Sequence, residues 1–294
     1  MKKLPIFLAL ALYSLISTAQ KDKVYSSLEE ALATPTDVYI LSLNNRKLTE
    51  MPEGITRLTN LTSLDLAGNK LTSLPETITG LTQLTELNLT ANKFNSIPEI
   101  VTRLTSLTEL DMSSNNISFI PGTITMLTNL KQLYLNNNKI ASFPDFLAKM
   151  TSLSEIYLYG NLLPSIPESI SKLTNLIEIG LGGNLLTSLP ESMSSLVNLK
   201  YLALSYNQFT ILPGCITKLT SLIVLDLNGN KFTSLPENFG NLTKLEELYL
   251  ESNKLTTLPE SITRLTDLSK INIKENKSLR LSEAVKVFIM DKRI

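Results

Sequence analysis

The stretch LTSLDLAGNKLTSLPETITG, residues 61–80, contains five leucines and one isoleucine, but their spacing fits neither one long strand nor one long helix. Nearly the same pattern returns at residues 84–103 and again at residues 222–241. The chain is therefore a repeat array. This internal repetition outweighs the one or two globular domains that a length of 294 residues would otherwise suggest.

The register of the repeat is set by an asparagine that recurs every 23 residues. If each unit is numbered from its first leucine, apolar residues occupy positions 1, 4, 6, 11, 14, 18 and 21, asparagine occupies position 9, and proline occupies position 15. The asparagines are Asn69, Asn92, Asn115, Asn138, Asn161, Asn184, Asn207, Asn230, Asn253 and Asn276.

The spacing inside one unit predicts a short strand followed by a return segment. Positions 4 and 6 alternate with polar positions 3, 5 and 7, which is the period of a strand with one face inward. Proline cannot donate to a strand ladder and suits the start of a helical turn, so the chain leaves the sheet there. Because strands pack about 4.8 Å apart and helical segments need about 10 Å, the stack is expected to bend toward the strand side.

The pattern LxxLxLxxNxLxxLPxxIxxLxx resembles the leucine-rich repeat family, in its 23-residue bacterial or Ras-associated type, over residues 38–276 and about eleven units. The resemblance implies an α/β repeat solenoid: a curved horseshoe with a concave parallel β-sheet and short helical or 3-10 segments on the convex side. It also implies protein recognition without catalysis.

Two polar features of the unit have structural interpretations. The position-9 asparagine both donates and accepts, so it can bond the backbone groups that turn out of the strand. In the first unit Arg46 stands there, which predicts a looser turn. Glutamate at position 16 with a base four residues later predicts i,i+4 pairs on the return segments, as in Glu53 with Arg57 and Glu99 with Arg103.

The first residues differ from the repeats. Lys2 and Lys3 precede an apolar run at residues 4–16 and small residues before Gln20, which predicts a signal peptide at residues 1–19. The alternative is a membrane anchor, but the run is short of the ~20 residues a spanning helix needs. We therefore expect an exported bacterial protein, periplasmic, surface-bound or secreted, with no transmembrane segment after cleavage.

Both ends of the array need caps, because a solenoid otherwise exposes its core leucines. Residues 20–37 are the predicted N-terminal cap, with Ser27 and Glu30 as a capping box. Residues 277–294 are the predicted C-terminal helical cap, in which Ser282 begins a helix that turns three apolar side chains inward, Val285, Phe288 and Ile289.

Composition excludes several functions. Lys plus Arg equals Asp plus Glu at 27 each, so no basic field exists for nucleic acid. Histidine is absent and Cys215 is the only cysteine, which removes the His-based nucleophile pairs and the His- or Cys-rich zinc sites. We expect no catalytic residue, cofactor or metal site.

Information is expected where the units differ, which is on the outward strand positions of the concave face. Six of the nine tyrosines lie there, and the surface carries eleven acidic against four basic residues. Between the tyrosines, Gly180, Gly182 and Gly183 predict a shallow dip, rimmed by Tyr157, Tyr159, Tyr201 and Tyr206. The predicted partner-binding residues are Tyr134, Tyr157, Tyr159, Tyr201, Tyr206, Tyr249, Glu86, Glu109, Asp111, Glu155 and Glu178.

The expected function is a monomeric binding module that recognises a basic or polar protein or peptide on this face. Other interpretations stay open. The tyrosines could simply pack on their lateral neighbours, and tyrosines beside carboxylates would also suit a glycan. The array could be an adhesive or structural surface protein, or an intracellular signalling scaffold.

Overall fold

The computed structural model describes residues 21–290 and residue 292, so the predicted signal peptide of residues 1–19 lies outside the described part of the chain. Within the described part, no helix combines the length and the apolar character that crossing a membrane requires.

One open, curved sheet of parallel strands runs through the described residues. Each strand pairs with the next one along the chain, and from the second strand onward the register is one repeat, as in Leu64 beside Leu87. The strands are β1 Val24–Tyr25, β2 Ile40–Ser42, β3 Ser63–Asp65, β4 Glu86–Asn88, β5 Glu109–Asp111, β6 Gln132–Tyr134, β7 Glu155–Tyr157, β8 Glu178–Gly180, β9 Tyr201–Ala203, β10 Val224–Asp226, β11 Glu247–Tyr249 and β12 Lys270–Asn272.

The return side is built of short 3-10 helices, so the predicted leucine-rich-repeat architecture is confirmed. Prolines precede most of them, and the proline carbonyl accepts the first turn bond, as in Ile55 N to Pro52 O at 3.2 Å. The segments are Pro35–Asp37, Glu53–Arg57, Glu76–Gly80, Val101–Arg103, Gly122–Met126, Asp145–Lys149, Glu168–Lys172, Glu191–Ser195, Gly214–Lys218, Glu237–Asn241 and Glu260–Arg264.

The prediction of i,i+4 ion pairs on these segments is wrong. A 3-10 helix has three residues per turn, so residues four apart do not share a face. Two bases of these segments reach the preceding unit instead: Arg103 binds Glu76 at 2.8 Å, and Lys218 binds Glu191 at 3.3 Å. Both pairs are exposed, and such pairs contribute at most about 1 kcal/mol.

The core is a continuous column of the repeated apolar positions. In the unit that begins at Leu61, the leucines at positions 1, 4, 6 and 11 and Ile78 at position 18 are almost fully buried. Burying one such side chain stabilises the fold by about 1.5–3 kcal/mol. The column therefore holds every unit, here called a coil and numbered from coil 1 at Val38 to coil 11 at Leu268, against its two neighbours.

The position-9 asparagines form the predicted internal ladder. Asn92 Nδ2 donates to the carbonyls of Leu66 and Leu89, at 2.9 and 3.1 Å, and Asn92 Oδ1 accepts from Leu71 N at 2.9 Å. The same bonds recur from Asn69 to Asn276, all of them buried. In coil 1 the Arg46 side chain turns outward and donates to Ser26 O at 2.8 Å, while Arg46 N binds Asn69 Oδ1.

The N-terminal end adds a strand that the sequence pattern did not predict. Val24 pairs with Ile40, so the sheet has twelve strands within the described residues and not the eleven expected. An α-helix follows at Leu28–Ala33, capped by Ser27, whose Oγ accepts from Glu30 N. Only this half of the predicted capping box forms, because the Glu30 carboxylate binds Lys23 at 2.8 Å.

At the other end an α-helix spans Glu283–Met290. Ser282 Oγ accepts from Val285 N at 3.4 Å, and Val285 and Ile289 are buried against the last coil. Phe288 packs against the core from a half-buried position. The helix therefore covers the leucines that would otherwise meet water.

Candidate functional site

Position 5 of each coil lies at the end of its strand on the concave face. Its side chain determines which group accepts the backbone N–H of position 7, just beyond the strand; this hydrogen bond is here said to close the strand end. Where it is aspartate or asparagine, the side chain folds back and accepts the N–H of position 7 in the same coil. The five pairs are Asp65 with Ala67, Asn88 with Thr90, Asp111 with Ser113, Asp226 with Asn228 and Asn272 with Lys274, at 2.8–3.1 Å.

Where position 5 is tyrosine, the acceptor comes from position 7 of the preceding coil. Asn136 N donates to Ser113 Oγ at 3.2 Å, and Tyr159 N donates to Asn136 Oδ1 at 2.9 Å. Glu251 N likewise donates to Asn228 Oδ1 at 2.7 Å. Many polar side chains on this face therefore bond the backbone of the array itself, and Asp111 is one of them.

Three predicted site tyrosines form an aromatic band across β6 and β7. The rings of Tyr134 and Tyr157 stack at 5.1 Å with an interplanar angle of 7°, and those of Tyr157 and Tyr159 at 6.1 Å with 18°. Such pairs contribute about 0.5–1.5 kcal/mol beyond their burial. The lateral packing considered for these tyrosines is therefore present.

Two hydroxyls of the band donate to the acidic column beside it. Tyr134 Oη donates to Glu155 at 3.0 Å, and Gln132 donates to the other Glu155 oxygen at 2.8 Å. Tyr157 Oη donates to Glu178. Burial and these carboxylates raise the pKa of both tyrosines well above the usual range, so both hydroxyls remain protonated donors.

The glycines of coil 7 do not leave the open dip that the sequence predicts. The Tyr159 ring lies over Gly180 and Gly182, and a Cβ on Gly182 would stand 2.8 Å from two ring carbons. Both glycines are buried under that ring. Burial, with Asp226 and Glu178 nearby, raises the pKa of Tyr159 to about 12. The glycines therefore make room for the tyrosine and not directly for a ligand.

The cavity of this face lies one coil further on, above Ala203. Its volume is about 290 Å3, and tyrosine rings and carboxylates surround its small floor. The lining residues are Tyr157, Tyr159, Glu178, Ile179, Tyr201, Leu202, Ala203, Val224, Asp226 and Tyr249. The sequence analysis does not predict Ala203 and Asp226 as site residues. The available signal was a small residue at position 5 of coil 8 followed by an acidic residue at position 5 of coil 9.

The remaining predicted tyrosines are placed differently from one another. Tyr201 is 38% exposed and lines the cavity. Tyr249 also lines it, and its hydroxyl binds Glu247 and Lys270. Tyr206 is 69% exposed, has a φ of +53° and lies over Gly229 beyond the strand end, so the prediction that it rims the dip is wrong.

The predicted acidic residues are not all brought to the cavity. Glu178 lines it, and Glu155 stands one strand away. Glu86, Glu109 and Asp111 lie on β4 and β5, several strands distant. Partial burial and the neighbouring Glu86, Asp111 and Glu155 raise the pKa of Glu109.

Neither a metal site nor a reactive thiol is found within the described residues. No group of acidic residues or cysteine there could hold a metal ion. Cys215 is fully buried within the return segment Gly214–Lys218, and desolvation raises the pKa of its thiol to about 11. A neutral, buried thiol is a poor nucleophile.

Comparison with protein families finds the same repeat. The family described as a leucine-rich repeat region matches residues 37–110 and 185–287. Two further leucine-rich repeat families match residues 105–149 and residues 151–209. No curated protein sequence matches the chain significantly.

Solved structures with the same fold include bacterial and plant proteins. A leucine-rich repeat protein of Leptospira interrogans is 27% identical with a TM-score of 0.64, covering 93% of this chain and 99% of that one. A TDR receptor is 29% identical with a TM-score of 0.75, and 91% of this chain aligns with 48% of the receptor. The plant peptide hormone receptor RGFR1, in complex with RGF2, is 26% identical with a TM-score of 0.63, covering 83% and 50%. The chain thus spans about half the length of the two receptor chains.

Proposed function

Because this chain belongs to the leucine-rich repeat family, we propose that it is a non-enzymatic binding module that recognises a protein or peptide on its concave face. The observation that carries the proposal is the cavity above Ala203, walled by four tyrosines from the strands β7, β9 and β11 and the end of β7. Tyrosine offers large contact area and a polar tip at small entropic cost, which suits recognition of another chain.

Electrostatics indicate the character of the partner. Glu178 and Asp226 line the cavity, and no lysine or arginine among the described residues lines it. A basic or polar partner complements this surface, because opposite potentials favour both encounter and register.

A second observation supports a binding surface in the same coils. Position 10 is lysine in most coils, but coils 6 and 7 have Leu162 and Leu185, which are 48% and 44% exposed. Exposed apolar residues on a repetitive polar edge favour contact with another molecule. The changes at positions 5 and 10 thus coincide in the middle of the array.

One of the similar structures supports a peptide or protein as partner. The plant receptor RGFR1 was solved in complex with RGF2, and its leucine-rich repeats resemble this chain over most of its length. The proposal also includes export as a monomer, which the leader pattern of residues 1–19 supports.

The binding surface is tested by selecting random displayed peptides on the wild-type protein. We expect the selected peptides to bind the Tyr157→Ala and Tyr201→Ala variants at least tenfold more weakly than the wild-type protein. Tyr206→Ala is the matched control, since it removes an exposed tyrosine outside the cavity. Equal affinity for all three variants would rule out the concave face, and retention on polysaccharide without peptide binding would favour a glycan ligand.

Export is tested separately by sequencing the N-terminus of the protein from its source cells. A mature chain that starts at Gln20 outside the cytoplasm is the expected result. An intact Met1 in the cytoplasm would contradict export and favour an intracellular scaffold.

A further inference from the structure

Two consecutive coils lack the acceptor that closes the strand end elsewhere. Eight of the eleven coils supply a side-chain acceptor to the position-7 N–H, from position 5 of the same coil or position 7 of the preceding one. In coils 7 and 8 these N–H groups belong to Gly182 and Ser205. Position 5 is Gly180 in coil 7 and Ala203 in coil 8, and neither has a polar side chain. The preceding position 7 is Tyr159 for coil 7, whose ring carbons lie against Gly180 and Gly182, and Gly182 for coil 8.

Within residues 21–290, no acceptor meets hydrogen-bond geometry for the N–H of Gly182 or of Ser205. Both residues are buried, and Ser205 is only 6% exposed. Buried N–H groups without a partner are rare in folded proteins. The third coil of this kind is coil 1, where Asn44 is exposed at the end of the array and water can serve it.

The Ser205 N–H lies two residues after Ala203, which lines the cavity. In the other coils this N–H is directed at position 5 of its own coil or at position 7 of the preceding coil. For Ser205 those two places are Ala203, in the cavity floor, and Gly182, which has no side chain. Because the Tyr159 ring covers Gly182, a ligand atom would approach this donor from the cavity floor at Ala203.

The walls carry the complementary chemistry. Asp226 Oδ1 is held by Asn228 N at 3.0 Å, and Glu178 Oε2 is held by Tyr157. Within the described residues the second oxygen of each carboxylate makes no hydrogen bond, and the rings of Tyr159 and Tyr201 stand beside them. Aromatic faces and carboxylates together bind cations. A planar guanidinium stacks on aromatic rings and binds a carboxylate through two parallel N–H groups, which an ammonium group cannot do.

We infer that the cavity binds an arginine side chain of an extended peptide segment, whose neighbouring main-chain carbonyl accepts a hydrogen bond from Ser205 N–H. The guanidinium lies among the tyrosine rings, with the unpartnered oxygens of Glu178 and Asp226 as its acceptors. Main-chain bonding next to a side-chain pocket is how extended peptides are held with both affinity and register. This inference rests on the proposed function and names the chemistry of its partner.

The first test uses two blocked tripeptides, acetyl-Gly-Arg-Gly-amide and its citrulline analogue, which has the same shape without the charge. Each is titrated into the protein labelled with 15N, and the backbone amide signals are followed. We expect the arginine peptide to shift the Ser205 signal and to bind at least tenfold more tightly than the citrulline peptide. Equal binding of the two peptides, or shifts confined to other coils, would overturn the inference.

The second test is Ala203→Asn, which installs the acceptor that asparagine supplies at position 5 of coils 3 and 11. The new side chain should bond Ser205 N–H, fill the cavity floor and weaken the arginine peptide at least tenfold, while circular dichroism shows a folded array. Ser42→Asn makes the same change at position 5 of coil 1 and should bind as the wild type does.

The two proposals fail differently. If the selected peptides no longer bind Tyr157→Ala and Tyr201→Ala but bind Ala203→Asn as they bind the wild type, the concave face is the binding surface and the proposal of an arginine pocket is wrong. If none of these variants changes binding of the selected peptides, the proposed function itself is wrong.

Discussion

Strands β3 to β5 and strands β8 and β9 share one register and one leucine core, yet their concave surfaces differ. In the first stretch, position 5 is Asp65, Asn88 or Asp111, and each side chain bonds the backbone of its own coil. In the second stretch it is Gly180 or Ala203, and the backbone donors are left without an acceptor beside a cavity. The position-7 N–H groups therefore have a side-chain acceptor in the first stretch and lack one in the second.

The difference shows that the core and the face are set by separate positions of the repeat. Positions 4, 6 and 9 are buried throughout coils 2 to 10, so they cannot vary there without loss of packing. Position 5 faces solvent and can exchange an internal hydrogen bond for a binding surface. A repeat protein can thus change its face coil by coil, because each coil contacts mainly its neighbours.

The largest effect should come from the part that both stretches share. Asn92→Ala and Asn207→Ala each remove the bonds to two leucine carbonyls and to one buried N–H. We expect each to lower the free energy of unfolding by about 3 kcal/mol, because the backbone groups left behind are buried and unpaired. Urea unfolding of the two variants measures this, and clearly unequal losses would show that the frame is not uniform.

The next effect separates the stretches. Tyr159→Ala removes the ring that covers Gly180 and Gly182 and stacks on Tyr157. We expect a loss of about 2 kcal/mol in the free energy of unfolding from burial and aromatic contact. Tyr206→Ala, on the exposed edge, should stay within about 0.5 kcal/mol of the wild type. Similar urea midpoints for both variants would contradict the covering role of Tyr159.

A smaller effect tests the strand closure of the first stretch. Asn88→Ala removes the acceptor of Thr90 N, a bond of 2.9 Å. We expect a loss of about 1 kcal/mol, the net contribution of one hydrogen bond. Binding of selected peptides should be unchanged, since Asn88 lies on β4, away from the cavity. A loss of peptide binding in this variant would extend the site into the first stretch.

The smallest effect depends on pH. The pKa of Glu109 is raised, so the folded protein holds this proton more tightly than the unfolded chain does. The favourable contribution is complete below the unfolded pKa of about 4.5 and is lost as pH rises through the folded value. Glu109→Gln should therefore stabilise the protein at neutral pH, by less than about 0.5 kcal/mol because solvent screens the group.

The matched change in the tyrosine band is Glu155→Gln. Glu155 accepts from Gln132 and Tyr134, so this variant should lose about 1 kcal/mol at neutral pH. Urea unfolding of both variants across acid and neutral pH provides the test. A gain in Glu109→Gln that persists unchanged below pH 4.5 would contradict the electrostatic cause.

The fold could be predicted from the sequence because each repeated position has one physical role. The leucines, Asn92 and its equivalents, and the position-15 prolines define strand, turn and return segment whatever the neighbours are. The helical pairs were mispredicted, because Glu76 and Arg103 meet between coils at a distance that a linear spacing does not reveal.

The candidate site could be predicted only in part. Tyrosines on outward positions indicated the concave face, which is where the cavity lies, but their side chains lean over neighbouring coils. The space above Gly180 is therefore filled by Tyr159, and the cavity lies above Ala203 and not where the sequence predicts it. The unpartnered Ser205 N–H could not be foreseen either, since it depends on which of two coils supplies each acceptor.

Coil 8 lacks an internal acceptor for Ser205 N–H and leaves that place to a ligand, and urea unfolding of Ala203→Asn tests this most directly. The new asparagine should close the coil as Asn88 does, raising the free energy of unfolding by about 1 kcal/mol while peptide binding falls. A variant that is less stable than the wild type, or equally stable with unchanged peptide binding, would contradict the claim.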